Sequence, residues 1–190
     1  MKFHYNGKFD GNADALPTRE HEDGYVAYRE PGEKKLMIII NIIAIIITLP
    51  LVMAVSFVSG RFGYSMLTIW PALIAFLVSI FPHEFLHGLC FKEDVYMYTY
   101  LDKGACFVVG PELMSKSRFI FMCMLPNLVF GFVPFVIWCF FPNLTFLGYF
   151  GALAIGAGGG DYMNVFNTLV QVPRGAKVYM HGMNSFWVKK

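Results

Sequence analysis

Charge is what this chain has least of. Only 15% of its 190 residues are charged, and the formal balance is +2, too small a surplus to suggest binding to a nucleic-acid backbone. Cysteine is scarce too. Cys90, Cys106, Cys123 and Cys139 show no CxxC spacing, so they read as free buried thiols rather than a disulfide framework or a cysteine metal site. Residues 1–15 are polar and lack the apolar core of a secretory signal. No internal repeat and no low-complexity tract is visible. What fills the space is apolar: 56% of the residues are hydrophobic, against about 45–50% in ordinary globular domains. The length suits one compact membrane domain.

A bilayer core about 30 Å thick takes about 20 apolar residues to cross as helix. Four stretches qualify: Leu36–Val58, Ser65–Phe91, Phe119–Phe140, and Phe146 to about Val172. Pro50 is expected to kink the first. Pro82 in the second is expected to end one helical segment and start the next, because proline suits a first-turn position. Gly156, Gly158, Gly159 and Gly160 soften or break the fourth. Lys and Arg fix the orientation. With four spans, fourteen of the fifteen positive residues fall on one side, and Arg61 alone falls on the other. Both termini are then expected in the cytoplasm, with the cell membrane as the site of residence. The fold expected is an all-α membrane bundle of about four transmembrane helices with a small cytoplasmic-side β-hairpin. The organisation expected is a polar N-terminal segment at 1–30, a membrane-embedded domain at 31–172 and a tail at 173–190.

Near the end of the second apolar stretch stands His83-Glu84-Phe85-Leu86-His87, an HExxH pentapeptide. Residues four apart share one face of a helix. His83 and His87 can therefore offer two imidazole nitrogens to one Zn²⁺. Glu84 beside them is placed to take a proton from a water that the ion activates. A catalytic zinc usually takes three protein ligands, and Asp161 is the only acid in the fourth stretch. Depth agrees. At 1.5 Å per residue, His83 lies about 27 Å along its helix and Asp161 about 22 Å along its own, entering from the same side. A carboxylate inside a membrane costs about 2.5–3.5 kcal/mol, which a bound cation would remove. The alternative is a protonated Asp161 hydrogen-bonded to a neighbouring helix. Glu112, after Gly110-Pro111, is the rival ligand, with Asp94 and His181 behind it. Asn164, one turn beyond Asp161, is a candidate to hold that carboxylate or a substrate carbonyl; Asn127 and Asn167 rank lower.

After the pentapeptide, Val95–Leu101 is β-prone, Asp102-Lys103-Gly104 reads as a turn, and Ala105–Val109 reads as a returning strand. An extended substrate could add to the edge of such a hairpin; the plainer reading is an interfacial hairpin anchored by tyrosines. The tail from Lys177 to Val188 is also β-prone and is a candidate to pair with it.

The chain resembles the putative zincin peptidase family of small membrane proteins, which is distantly similar to site-2 proteases. The resemblance rests on Pro82 to Gly88, on Pro111 to Phe119 leading into a span with Pro126, and on Gly160-Asp161-Tyr162-Met163-Asn164. It covers most of the chain from about Leu36. It implies His83, His87 and Asp161 as zinc ligands and Glu84 as general base. Site-2 proteases draw the third ligand from an Asp-Gly pair, whereas here glycine precedes Asp161 and tyrosine follows it. The expected activity is zinc-dependent peptide hydrolysis near the cytoplasmic membrane boundary, on a membrane protein or a hydrophobic peptide. The rivals are a non-catalytic metal or partner binder, and a zinc hydrolase of a lipid or other amide.

Overall fold

The computed structural model describes residues 2–60, 66–100 and 104–189. It is mostly helical, with two small sheets. The chain forms two compact units: one of Met1–Glu30, Glu84–Cys123 and Asn164–Lys190, the other of Pro31–His83 and Met124–Met163. Ser65, where the second stretch was expected to begin, Arg61, and Leu101, Asp102 and Lys103 of the expected turn lie outside the described residues.

The second unit is helical. Helix α1 (Glu33–Val58) exposes Ile38, Ile42, Ile45, Leu49, Met53 and Phe57. An apolar stripe turned outward at helical spacing suits hydrocarbon rather than water. Helix α2 (Met66–Leu89) does the same with Leu67, Trp70, Ile74 and Val78. It also runs unbroken through Pro71 and Pro82, contrary to the boundary expected at Pro82. In apolar surroundings the helical backbone has no water to turn to, so an interior proline is tolerated. The third stretch begins as α3 (Lys116–Pro126), passes through a π-helical segment at Asn127–Phe132 and ends as α4 (Val133–Phe140).

The fourth stretch is not one helix. It forms α5 (Thr145–Ala157) and α6 (Gly159–Gln171), divided at Gly158. Each has 13 residues, or about 20 Å of helix, short of a bilayer core. Three helices are long and apolar enough to cross a membrane among the described residues: Lys34–Val58, Leu67–Leu89 and Lys116–Phe140. The glycines explain the break and the close packing. A Cβ on Gly158 would overlap Asn127 Oδ1, and one on Gly156 would overlap Thr48 Oγ1. Val55, Ala72, Trp138 and Tyr149 form the buried centre of this unit. There the Ser56 hydroxyl donates to Val52 O, so Tyr149 OH donates to Ser56 Oγ at 2.8 Å.

The other unit carries both sheets. In the first, β1 (Phe3–Lys8) runs parallel to β3 (Val95–Tyr100), and β3 pairs antiparallel with β4 (Ala105–Val109), Tyr98 facing Phe107. The strand pair expected after α2 is therefore present, with a third strand supplied by the N-terminal segment. In the second sheet the order is β2 (Val26–Ala27), β7 (Asn184–Val188), β6 (Lys177–His181), β5 (Met114–Ser115). The tail thus pairs with itself, β2 and β5, not with the β3–β4 hairpin. Strand β1 already occupies the second side of β3. Val95, Met97, Phe119, Cys123, Val172 and Val178 belong to the buried cluster of this unit.

Candidate metal centre

Helix α2 places His83, Glu84 and His87 so that one donor atom from each lies within 4.8 Å of the others. It is the only such group of three among the described residues, and neither Asp161 nor Glu112 is a member of it. His87 is buried, and its Nδ1 lies 2.9 Å from Met122 O. A carbonyl can only accept, so Nδ1 carries the proton and Nε2 keeps its lone pair for a metal. The sequence explains why that carbonyl is available. In an α-helix the N–H of residue 126 would bond Met122 O, but residue 126 is proline and has no N–H. Pro126 thus releases an acceptor that His87 uses, and the π-helical segment begins one residue later.

Asp161 sits in the first turn of α6, where the helix dipole favours negative charge. Its Oδ2 lies 3.3 Å from His83 Nε2. The pair stands at ion-pair distance, and an imidazole nitrogen and a carboxylate oxygen are both donor types that zinc takes. Asn127 Nδ2 donates to the same Oδ2 at 2.6 Å. Asn127 is 1% exposed, and its close approach to the break between α5 and α6 requires glycine at 158. Two imidazoles one helical turn apart, one of them held by a carbonyl through its Nδ1, are donors of the type that Zn²⁺ takes.

Glu84 is half-buried. Its charge reaches strand β4: burial pushes the Cys106 thiol pKa up, and the Glu84 carboxylate adds to that rise. Strand β1 is fastened to the same end of α2. The Phe3 ring lies 5.1 Å from that of Phe85 and leaves no room for a Cβ on Gly88.

The other candidates serve elsewhere. Glu112 is 4% exposed, accepts from Lys92 N at 2.5 Å and Glu93 N at 3.1 Å, and pairs with Arg118. Its carboxylate closes the turn after α2 and stands outside the His83–Glu84–His87 cluster. Asp94 accepts from Lys2 N at 2.9 Å and faces His4 Nε2 at 3.4 Å. His181 Nδ1 donates to Arg19 O. Asn164 is half-buried, and its backbone oxygen accepts from Thr168 Oγ1. Asn167 Oδ1 accepts from Gln171 Nε2. It is Asn127, ranked low from sequence, that holds the Asp161 carboxylate. Its signal was an amide directly after Pro126 within an apolar stretch.

A family model described as Putative zincin peptidase matches residues 76–177. That is more than half of the chain, so the protein belongs to this family. The matched region includes His83, Glu84, His87, Asn127 and Asp161. No curated protein and no solved structure matches the chain.

Proposed function

We propose that the protein is a membrane-embedded zinc metallopeptidase in which His83, His87 and Asp161 hold the ion and Glu84 is the general base. The observation that carries this reading is the His83 Nε2–Asp161 Oδ2 pair at 3.3 Å, with Asn127 fixing the carboxylate. Bound zinc supplies Lewis acidity, acidifying water and polarising a carbonyl. The chain supplies the rest. Met122 O holds His87 in the tautomer that carries its proton on Nδ1. Asn127 keeps one Asp161 oxygen aimed at His83. The Glu84 carboxylate takes the proton of the attacking water and delivers it to the departing amine nitrogen.

The substrate is a membrane protein or a hydrophobic peptide cut near the cytoplasmic boundary. Strand β4 supports presentation of an extended segment. Among the described residues it is paired on one side only, by β3, and it lies within electrostatic reach of Glu84. A peptide adding to that edge would bring its amides in as a strand. If α5 and α6 together make a fourth crossing, the one-sided distribution of Lys and Arg supports cytoplasmic termini.

The test is Glu84→Gln. The variant retains zinc and loses about 10²–10⁴-fold in cleavage of hydrophobic peptides by the protein in liposomes, read by mass spectrometry. Cleavage at the wild-type rate by the Gln variant contradicts the assignment.

A further inference from the structure

Where α3 begins, the structure has an open pocket of about 470 Å³ whose walls include Lys116, Ser117, Ile120, Arg174 and Lys177. Three of these are cations, and none is paired with a carboxylate among the described residues. The nearby Arg118 is different, being neutralised by Glu112. Lys116 is held in place: its Nζ donates to Leu169 O at 3.2 Å and Val172 O at 2.6 Å, at the end of α6. Its charge is thereby fixed at the wall rather than swept through solvent on a free side chain. The first turn of α3 adds backbone N–H groups and the positive end of a helix dipole. Gly175, at φ +80°, lets the turn after α6 fold into the opposite wall.

The position of the pocket narrows its ligand. Lys116 is both the first residue of α3 and the first of the apolar stretch Lys116–Phe140. The cations therefore stand at the polar end of a membrane-length stretch, while Ile120 and the exposed Phe121 continue into its apolar part. A ligand suited to both needs a negative head and an apolar body. We propose that this pocket binds the phosphate headgroup of an anionic membrane phospholipid, with Arg174 and Lys177 closing on the phosphate and the acyl chains running past Ile120 and Phe121. Basic pockets at the ends of membrane helices attract such headgroups. The proposal uses the membrane reading of α3 and makes no use of zinc.

The experiment is native mass spectrometry of the full-length protein released from mixed micelles containing phosphatidylglycerol or phosphatidylcholine. The wild type retains phosphatidylglycerol at least about tenfold more strongly. An exposed cation near a charged headgroup contributes about fivefold, so Arg174→Gln with Lys177→Gln removes most of the preference. Lys177→Glu alone, a milder perturbation of the fold, reduces it as well. Lys34→Gln with Lys35→Gln lowers the net charge equally and leaves the preference intact. Zinc content is unchanged in every variant, which separates this test from that of the metal centre. Three results overturn the proposal: equal retention of the two lipids, equal loss in the Lys34 and Lys35 control, or displacement of phosphatidylglycerol by millimolar inorganic phosphate, which would mark a free-anion site.

Discussion

Replacing Asn127 by Ala tests whether Asp161, the proposed third ligand, depends on the amide that holds it. Asn127 Nδ2 lies 2.6 Å from Asp161 Oδ2, and the side chain is almost wholly buried. A hydrogen bond to a charged group contributes about 1.5–3 kcal/mol. At about 1.4 kcal/mol per decade, losing it from the bound state weakens zinc affinity by about 10–100-fold, the range found when an outer partner of a metal ligand is removed. The truncation also empties part of a buried site, which costs about 1–3 kcal/mol of fold stability. The two effects separate experimentally. Zinc affinity is read by competition with a chromophoric chelator, and the metal-free protein is checked for a single melting transition in detergent. A folded Asn127→Ala protein that binds zinc as tightly as the wild type would refute the idea that this amide positions Asp161.

Two further predictions concern neighbouring residues. Glu112→Ala leaves Arg118 without its partner and removes the acceptor for two backbone N–H groups; it lowers stability by about 3 kcal/mol in chemical denaturation and leaves zinc stoichiometry unchanged, whereas loss of zinc from a folded variant would restore Glu112 as a ligand. Asp94 titrates below its ordinary 3.8, chiefly because Lys2 N donates to it and then because of His4. Its contribution is therefore complete above about pH 4 and is lost as pH falls through the depressed value. The stability gap between wild type and Asp94→Asn should close as pH falls below 4; a gap that persists undiminished at pH 2 contradicts this.

The residues that were legible in the sequence are those whose signal is local. His83, Glu84 and His87 announce themselves by spacing on one helix, and the apolar stretches by length. The β-prone residues from Val95 and from Ala105 likewise foretold strands β3 and β4. What was not legible depends on partners distant in sequence. Residues 3–8 are a polar, unremarkable run until they lie beside β3, and Phe3 against Gly88 gives no sign in either segment alone. Of the tail strands, β6 pairs with β5 and β7 with β2, strands of only two residues each that leave no period to detect. The glycine run gave warning of a break in the fourth stretch, but hydropathy did not show that neither half is long enough to cross a membrane. That break rests on glycines pressed against Asn127 and Thr48. Asn127 itself reads as a structural amide until the chain brings Asp161 to it.

The most direct measurement is the metal content of the purified, detergent-solubilised protein after reconstitution with zinc. One zinc per chain is expected for the wild type. Asp161→Ala and His87→Ala, each shown to be folded, should fall to about a tenth of that or less. Absence of stoichiometric zinc from the wild type, or full retention by folded Asp161→Ala, would contradict the ligand set on which the proposed chemistry stands.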